Sequence, residues 1–301
     1  MSTTMVKENK MGVMPEGKLL VNMALPMIIS MLVQALYNVV DSIYVAQISE
    51  SAVTALSLAF PVQNLQIGFA VGIGVGINSL LSKSLGEKNQ DAVNRAAGNG
   101  MVLMFIVTAG FMIFSLVGVR PYYEMQSTVA ETVEGGIAYT SICCFFILGS
   151  FMQILSERLL QATGRTVLSM ITQGVGPITN IILDPIFIFG FDWGIRGAAI
   201  ATILAQIVSL SWQLKILSNK EELLHFRRGI YRLKRKIVDN ILSIGMSPFL
   251  MKLAACFIAI LINKGFKEHG GDLMIGAYGI TNRVAFLFVM GMMGQYVSKT
   301  Y

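Results

Sequence analysis

Between Arg165 and Asp192 the chain carries one charged residue, Asp184, inside the run GVGPITNIILDPIFIFGFDWGIRGAAIAT (174–202). An acid in so apolar a stretch needs a physical reason. In hydrocarbon it costs on the order of 3 kcal/mol or more, so such acids face a bundle interior or a wet cavity and mark ion or substrate paths. Asn180 precedes it by four residues, which puts the two on one helical face. Pro185 follows it, and a proline inside a helix removes a backbone hydrogen bond, here freeing the Ile181 carbonyl. A second acid, Asp41, lies in LLVNMALPMIISMLVQALYNVVDSIYVAQI (19–48). At 100° per residue Gln34, Asn38 and Asp41 fall within about 60° of one another, and Tyr37 widens the arc to about 100°. Thr202, Gln206, Ser209 and Gln213 form a second polar stripe, also about 60° wide. Polar side chains glue helices together in membranes, and that role suits Gln34 and Asn38 as well as a site does, but glue does not require a charge. Carboxylate, amide and hydroxyl oxygens are what a hard cation prefers. Two neighbouring carboxylates in a low dielectric can equally hold a proton, so Na⁺ and H⁺ both stay open as occupants.

The elements that must position these residues follow from composition. The 301 residues are 54% hydrophobic and 13% charged, with a mean hydropathy of +0.65, against a usual charged share of roughly 25% in soluble proteins. Long charge-free or nearly charge-free runs lie at 19–49, 52–82, 96–119, 137–156, 166–191, 197–214, 240–263 and 273–298. Each meets the length of about 20 residues that a helix needs to span a bilayer, so the sequence predicts an all-α integral membrane protein with eight crossings. Barrel strands, about 10 residues of strict alternation, do not fit. The head of the chain lacks the pattern of a cleaved signal peptide, so the first helix is expected to remain. Cys143, Cys144 and Cys256 fall inside spans, where thiols behave as small apolar groups, and no disulfide is expected.

A net charge of +6 could suggest nucleic-acid binding, but the distribution of bases argues for topology instead. With the N-terminus inside, 17 of the 23 bases lie on the inner side, four (Arg120, Arg196, Lys264 and Lys267) on the outer side, and Lys252 and Arg283 within spans. The positive-inside rule then puts both termini in the cytoplasm. Lys252 and Arg283 call for acidic or carbonyl partners.

Gly68, Gly72 and Gly76 recur every four residues in the second span, a small-residue face for close helix packing; without a preceding strand or a following Lys-Ser/Thr they do not form a phosphate loop. Tyr139, Phe146 and Gln153 are spaced as one face of the fourth span, with Glu157 a turn beyond Gln153. The segment SNKEELLHFRRGIYRLKRK reads as either a basic interfacial helix or a solvated linker. Leu20 and Leu242, Pro26 and Pro248, Ala55 and Ala277, and Gly72 and Gly294 are each offset by 222 residues, which suggests tandem units of the kind common in transporters. The expected organisation is a cytoplasmic tail (1–18), a six-helix lobe (19–218), a basic linker (219–236), the first two helices of a second lobe (237–298) and a short tail (299–301).

Several segments resemble the multidrug and toxic compound extrusion (MATE) family, specifically its bacterial DinF-like branch: ALPMIISMLVQALYNVVDSIYVAQI, GIGVGINSLLSKSLGEKN, ATGRT, NIILDPIFIFGFDWGIRGAAIAT and IGAYGITNRV. The resemblance implies a membrane antiporter of two six-helix lobes that exports cationic or amphiphilic compounds in exchange for Na⁺ or H⁺, with no other cofactor. It implies a cation site at Asp41, Asn180, Asp184 and Thr202 and an adjoining substrate cavity lined by Gln34, Tyr37, Asn38 and Tyr139, to which Gln206 on the polar stripe is added. The expected setting is the bacterial inner membrane, with small-molecule substrates and lipids as partners and no nucleic acid. The chain stops after eight of twelve expected helices, so the last two are expected to pack loosely, leaving Lys252, Asn282 and Arg283 short of neighbours.

Two other functions are weighed. A lipid-linked oligosaccharide flippase of the same superfamily would be expected to hold bases for pyrophosphate, and the first six helices hold two acids and no central base. A membrane enzyme lacks support: His225 and His269 are in loops, and no nucleophile elbow or metal-ligand spacing occurs. A non-transporting subunit is a further alternative for the shortened form.

Overall fold

A computed structural model describes residues 16–162, 166–217 and 233–297. Every regular element among them is helical: α1 (Glu16–Ala46), α2 (Glu50–Gly86), α3 (Gln90–Val117), α4 (Val119–Gln126), α5 (Ala130–Phe145), α6 (Leu148–Ala162), α7 (Thr166–Pro185), α8 (Gly194–Leu217) and α9 (Arg235–Val297), with a π-helical turn, Ile186–Gly190, continuing α7. Local chemistry sets the boundaries. The Ser49 side chain accepts from the Ala52 N–H at 3.1 Å and the Asn89 side chain from the Ala92 N–H at 3.1 Å, each satisfying an otherwise orphaned donor of a first helical turn. Tight links at Ile48 and Lys88 then make α1, α2 and α3 antiparallel neighbours.

Six of these helices are long and apolar enough to cross a bilayer, and α5 with α6, bent by 49°, makes a seventh span. Helix α9, at 63 residues, would be about 95 Å long if continuous, far more than a bilayer accommodates. It is interrupted at Gly271, where φ is 69°, a conformation open to glycine because it lacks a Cβ. The two arms, 235–270 and 272–297, supply the seventh and eighth of the expected crossings. The predicted segments 1–15 and 218–232, including most of the basic linker, lie outside the described residues.

Two expectations need correction. The fourth span is not one continuous helix: it breaks at Phe146–Ile147, so Tyr139, Phe146 and Gln153 do not share a face, and Tyr139 is buried while Phe146 is half exposed. The heptad spacing is meaningful only while the helix is straight. The last two helices are also not loosely packed. Gly68, Gly72 and Gly76 of α2 lie against Lys252, Phe249, Gly245 and Ile241 of the first arm. Beyond the break, the Asp272 carbonyl accepts from Thr54 Oγ1 at 3.1 Å, Asp272 Oδ2 accepts from Ser127, and Lys267 Nζ donates to the Met125 carbonyl at 2.8 Å. Backbone-to-backbone approach at the glycines replaces the bulky side chains that a second bundle would otherwise have to provide.

The main apolar core joins α2, α3, α5 and α6 through Ile77, Leu81, Met104, Phe111, Phe151 and Leu155. At the end that the charge distribution assigns to the outside, α4 is clamped by Tyr122 Oη donating to the Leu58 carbonyl at 2.7 Å and Tyr123 Oη to the Ala55 carbonyl at 3.1 Å. Large exposed apolar side chains such as Leu116, Leu261 and Ile113 cover the flanks of spans, as lipid contact requires.

Candidate cation site

Asp184 and Asn180 stand on one face of α7, as their spacing predicts, and both are buried. Asn180 Nδ2 donates to Asp184 Oδ2 at 2.6 Å. Helix α7 carries Pro177 and Pro185 and then opens into the π turn, closed by Phe191 N–H to the Ile186 carbonyl at 3.0 Å. Such turns favour functional sites because they release backbone groups from the regular ladder. Asp41, buried on α1, lies close enough to Asp184 for the two carboxylates to interact.

Tyr37 connects the two: it is within electrostatic reach of both acids and shares a hydrogen bond with Thr202 of α8. Thr202 itself donates to the Ala198 carbonyl at 2.9 Å, leaving its lone pairs for Tyr37. Tyr139 on α5 is buried within electrostatic reach of Asp41 and Tyr37, and its hydroxyl accepts from Gln63 Nε2 at 3.1 Å. Three helices thus bring Asp41, Asn180, Asp184 and Thr202 into one neighbourhood, with Tyr37 and Tyr139 beside them. The other predicted cavity residues are placed apart. Gln34 is exposed on α1, Asn38 is partly buried and contributes its carbonyl to Ser42 Oγ at 2.6 Å, and Gln206 sits against Gly149 of α6.

Three buried oxygens in this cluster have no hydrogen-bond donor: Asp41 Oδ1, Asn180 Oδ1 and Asp184 Oδ1. Buried acceptors are normally satisfied, so three unfilled ones on adjoining helices form a ready coordination set. No three His, Cys, Asp or Glu side chains converge on a metal position among the described residues. A donor set of two carboxylates and neutral oxygens suits a hard monovalent ion or a proton, not a transition metal, which favours imidazole and thiolate.

Sequence reasoning missed one functional residue's location. Arg283, expected to lack neighbours, reaches into this cluster from the second arm of α9. Its Nη1 is 3.6 Å from Asp41 Oδ2 and donates to Ser42 Oγ, and both side chains of the ion pair are almost wholly buried. The one available signal was a base within a span, which required an acidic partner somewhere.

A membrane-embedded bundle with paired acids beside a tyrosine-lined cluster defines a membrane transporter. Residues 26–186 match the MatE family, and the chain belongs to it. It is 27% identical over 288 residues to the multidrug export protein MepA of Staphylococcus aureus (strain MSSA476), covering 92% of this chain and 62% of that protein. The fold matches a MOP superfamily transporter from Pyrococcus furiosus, described as having a binding pocket of reverse polarity, with a TM-score of 0.87 and 25% identity over 98% of this chain and 65% of the other. It also matches the MATE multidrug transporter DinF-BH (TM-score 0.86, 27% identity, 92% and 62% coverage). The chain therefore spans a little under two thirds of the length of these relatives.

Proposed function

We propose that this chain is the N-terminal portion of a two-lobed antiporter that exports cationic or amphiphilic compounds in exchange for Na⁺ or H⁺, with the ion held by Asp41, Asn180 and Asp184 and with Thr202 completing the site through Tyr37. Residues 19–218 form the ion-binding lobe and 237–298 begin the second. The setting is the bacterial cytoplasmic membrane, both termini inside, on the strength of the charge distribution. The observation that carries this reading is the trio of unfilled buried oxygens on α1 and α7. In a water-free interior two acids held close together repel unless a positive charge lies between them, so ion occupancy changes the energy of the arrangement, as an exchanger requires. Substrates of small-molecule, cationic type follow from the acidic character of the neighbouring surface and from what is described for the relatives.

The test is ion-driven dye export from membrane vesicles containing the full-length protein. Asp184→Asn should insert normally and lose gradient-driven export, whereas undiminished export in that variant refutes the assignment.

A further inference from the structure

We propose that Arg283 is a tethered cation that competes with the transported ion for Asp41, so that ion binding loosens the contact between α1 and the second arm of α9. The inference rests on the cation-site reading above and adds the element through which the site acts on the rest of the molecule.

Charge counting is the starting point. Asp41 and Asp184 contribute two formal negative charges to one buried neighbourhood and Arg283 one positive charge. The remainder is one negative charge, the balance of a single monovalent ion. The partners are unevenly assigned: Asp41 Oδ2 faces the guanidinium at 3.6 Å, whereas Asp184 is held by the neutral amide of Asn180. The unfilled oxygens Asp41 Oδ1 and Asp184 Oδ1 are left for an ion. An ion there would draw on the same Asp41 charge that holds Arg283. A bidentate guanidinium–carboxylate fork would resist that competition, but Arg283 instead directs its close hydrogen bond to Ser42, and its contact with Asp41 is a single longer one.

The guanidinium also has somewhere to go. Arg283 lines two clefts, one shared with Ser42, Val45 and Leu56, the other with Asn263, Tyr278 and Asn282. Breaking a buried ion pair is strongly unfavourable when one charge is left uncompensated, and here the incoming ion compensates Asp41 while the second cleft's polar groups receive Arg283. Coupling of this kind is reciprocal: the ion weakens the helix contact by the factor by which the contact weakens ion binding.

The experiment uses the purified full-length protein. NaCl is titrated at fixed pH with choline as the balancing cation, and acid is titrated separately without sodium; the ion whose binding Asp184→Asn abolishes is the one followed. If Asp184→Asn abolishes neither, the cation-site reading fails, and this inference with it. If the site is established, Arg283→Gln should bind the ion about tenfold more tightly and lose ion-driven export. Arg283→Lys, whose ammonium cannot reach Ser42 and Asp41 through a rigid fork, should bind it on the order of threefold more tightly, and it serves alone should the glutamine variant not fold. A purely structural arginine would leave affinity unchanged or lower it when removed, and either result in the variants that fold overturns the proposal while leaving the cation site standing.

Discussion

Two helix seams in this molecule are built without bulky apolar side chains, and they end differently. In the seam between α2 and the first arm of α9, Gly72 and Gly245 meet backbone to backbone, and a Cβ at Gly76 would run into the Ile241 carbonyl. In the seam among α6, α7 and α8, Gln161, Ser169, Thr172, Asn180, Asp184, Ser209 and Gln213 are all buried. Here hydrogen bonds form a ladder: Ser209 Oγ to the Thr172 carbonyl at 3.1 Å, Thr172 Oγ1 to the Ser169 carbonyl at 2.8 Å, and Gln161 Nε2 to Ser169 Oγ at 3.3 Å and Glu157 Oε1 at 3.1 Å. Helices in lipid gain little from burying apolar surface, so they associate through close packing or polar contacts, and each seam uses one of these. The glycine seam is complete as it stands. The polar seam is not, because Asn180 Oδ1, Asp184 Oδ1 and both amide atoms of Gln213 are unpaired. Packing alone would select against such groups, so the incomplete seam is where function is to be sought.

That contrast can be broken from either side. The largest effect is expected at the glycine seam: Gly76→Leu forces side-chain atoms into the Ile241 backbone, and overpacking of this kind should cost about 3 kcal/mol or more, read as loss of monodisperse protein on size-exclusion chromatography. Normal yield and elution would mean that the seam yields and is not a fixed contact. Next is Asn180→Leu, which removes the donor to Asp184 and strands a buried carboxylate oxygen, an expected loss of about 1–3 kcal/mol. Thermal unfolding measured without coupling ion should show the lowered Tm. The smallest effect is Gln213→Leu. Replacing a buried amide that makes no hydrogen bond by an apolar group of similar shape is nearly neutral or stabilising, so Tm should stay within a few degrees or rise. A clear fall would show that Gln213 has a bonding role, and the polar seam would then be more complete than described.

Much of this was readable before any fold was known. Asp184 and Asn180 stood out because one acid in an apolar run and a four-residue spacing are local signals, and the glycine face was legible because a four-residue repeat of Gly68, Gly72 and Gly76 has one geometric meaning. The break at Phe146–Ile147 was not legible, since neither proline nor glycine marks it, and the face drawn through Tyr139 and Phe146 failed with it. The clamp by Tyr122 and Tyr123 was hidden in what read as an outer loop. The Arg283 contact was beyond reach for a different reason: Ser42 and Arg283 are 241 residues apart, and periodicity within a helix carries no information on which helix lies opposite. Local pattern specified the ligands of the site, and only the packing of α9 on α1 specified their counter-charge.

The central claim is that Asp41, Asn180 and Asp184 hold an ion, and the most direct measurement is the thermal stability of the purified full-length protein as a function of coupling-ion concentration. A ligand that binds the folded state alone stabilises it by RT ln(1 + [L]/Kd), about 2.7 kcal/mol at a hundredfold excess over Kd. Tm of the unmodified protein and of Gln213→Leu should climb with Na⁺ at fixed pH or, for a proton-coupled protein, with acidification, while Asp184→Asn stays flat under both. An equal climb in Asp184→Asn would contradict the site.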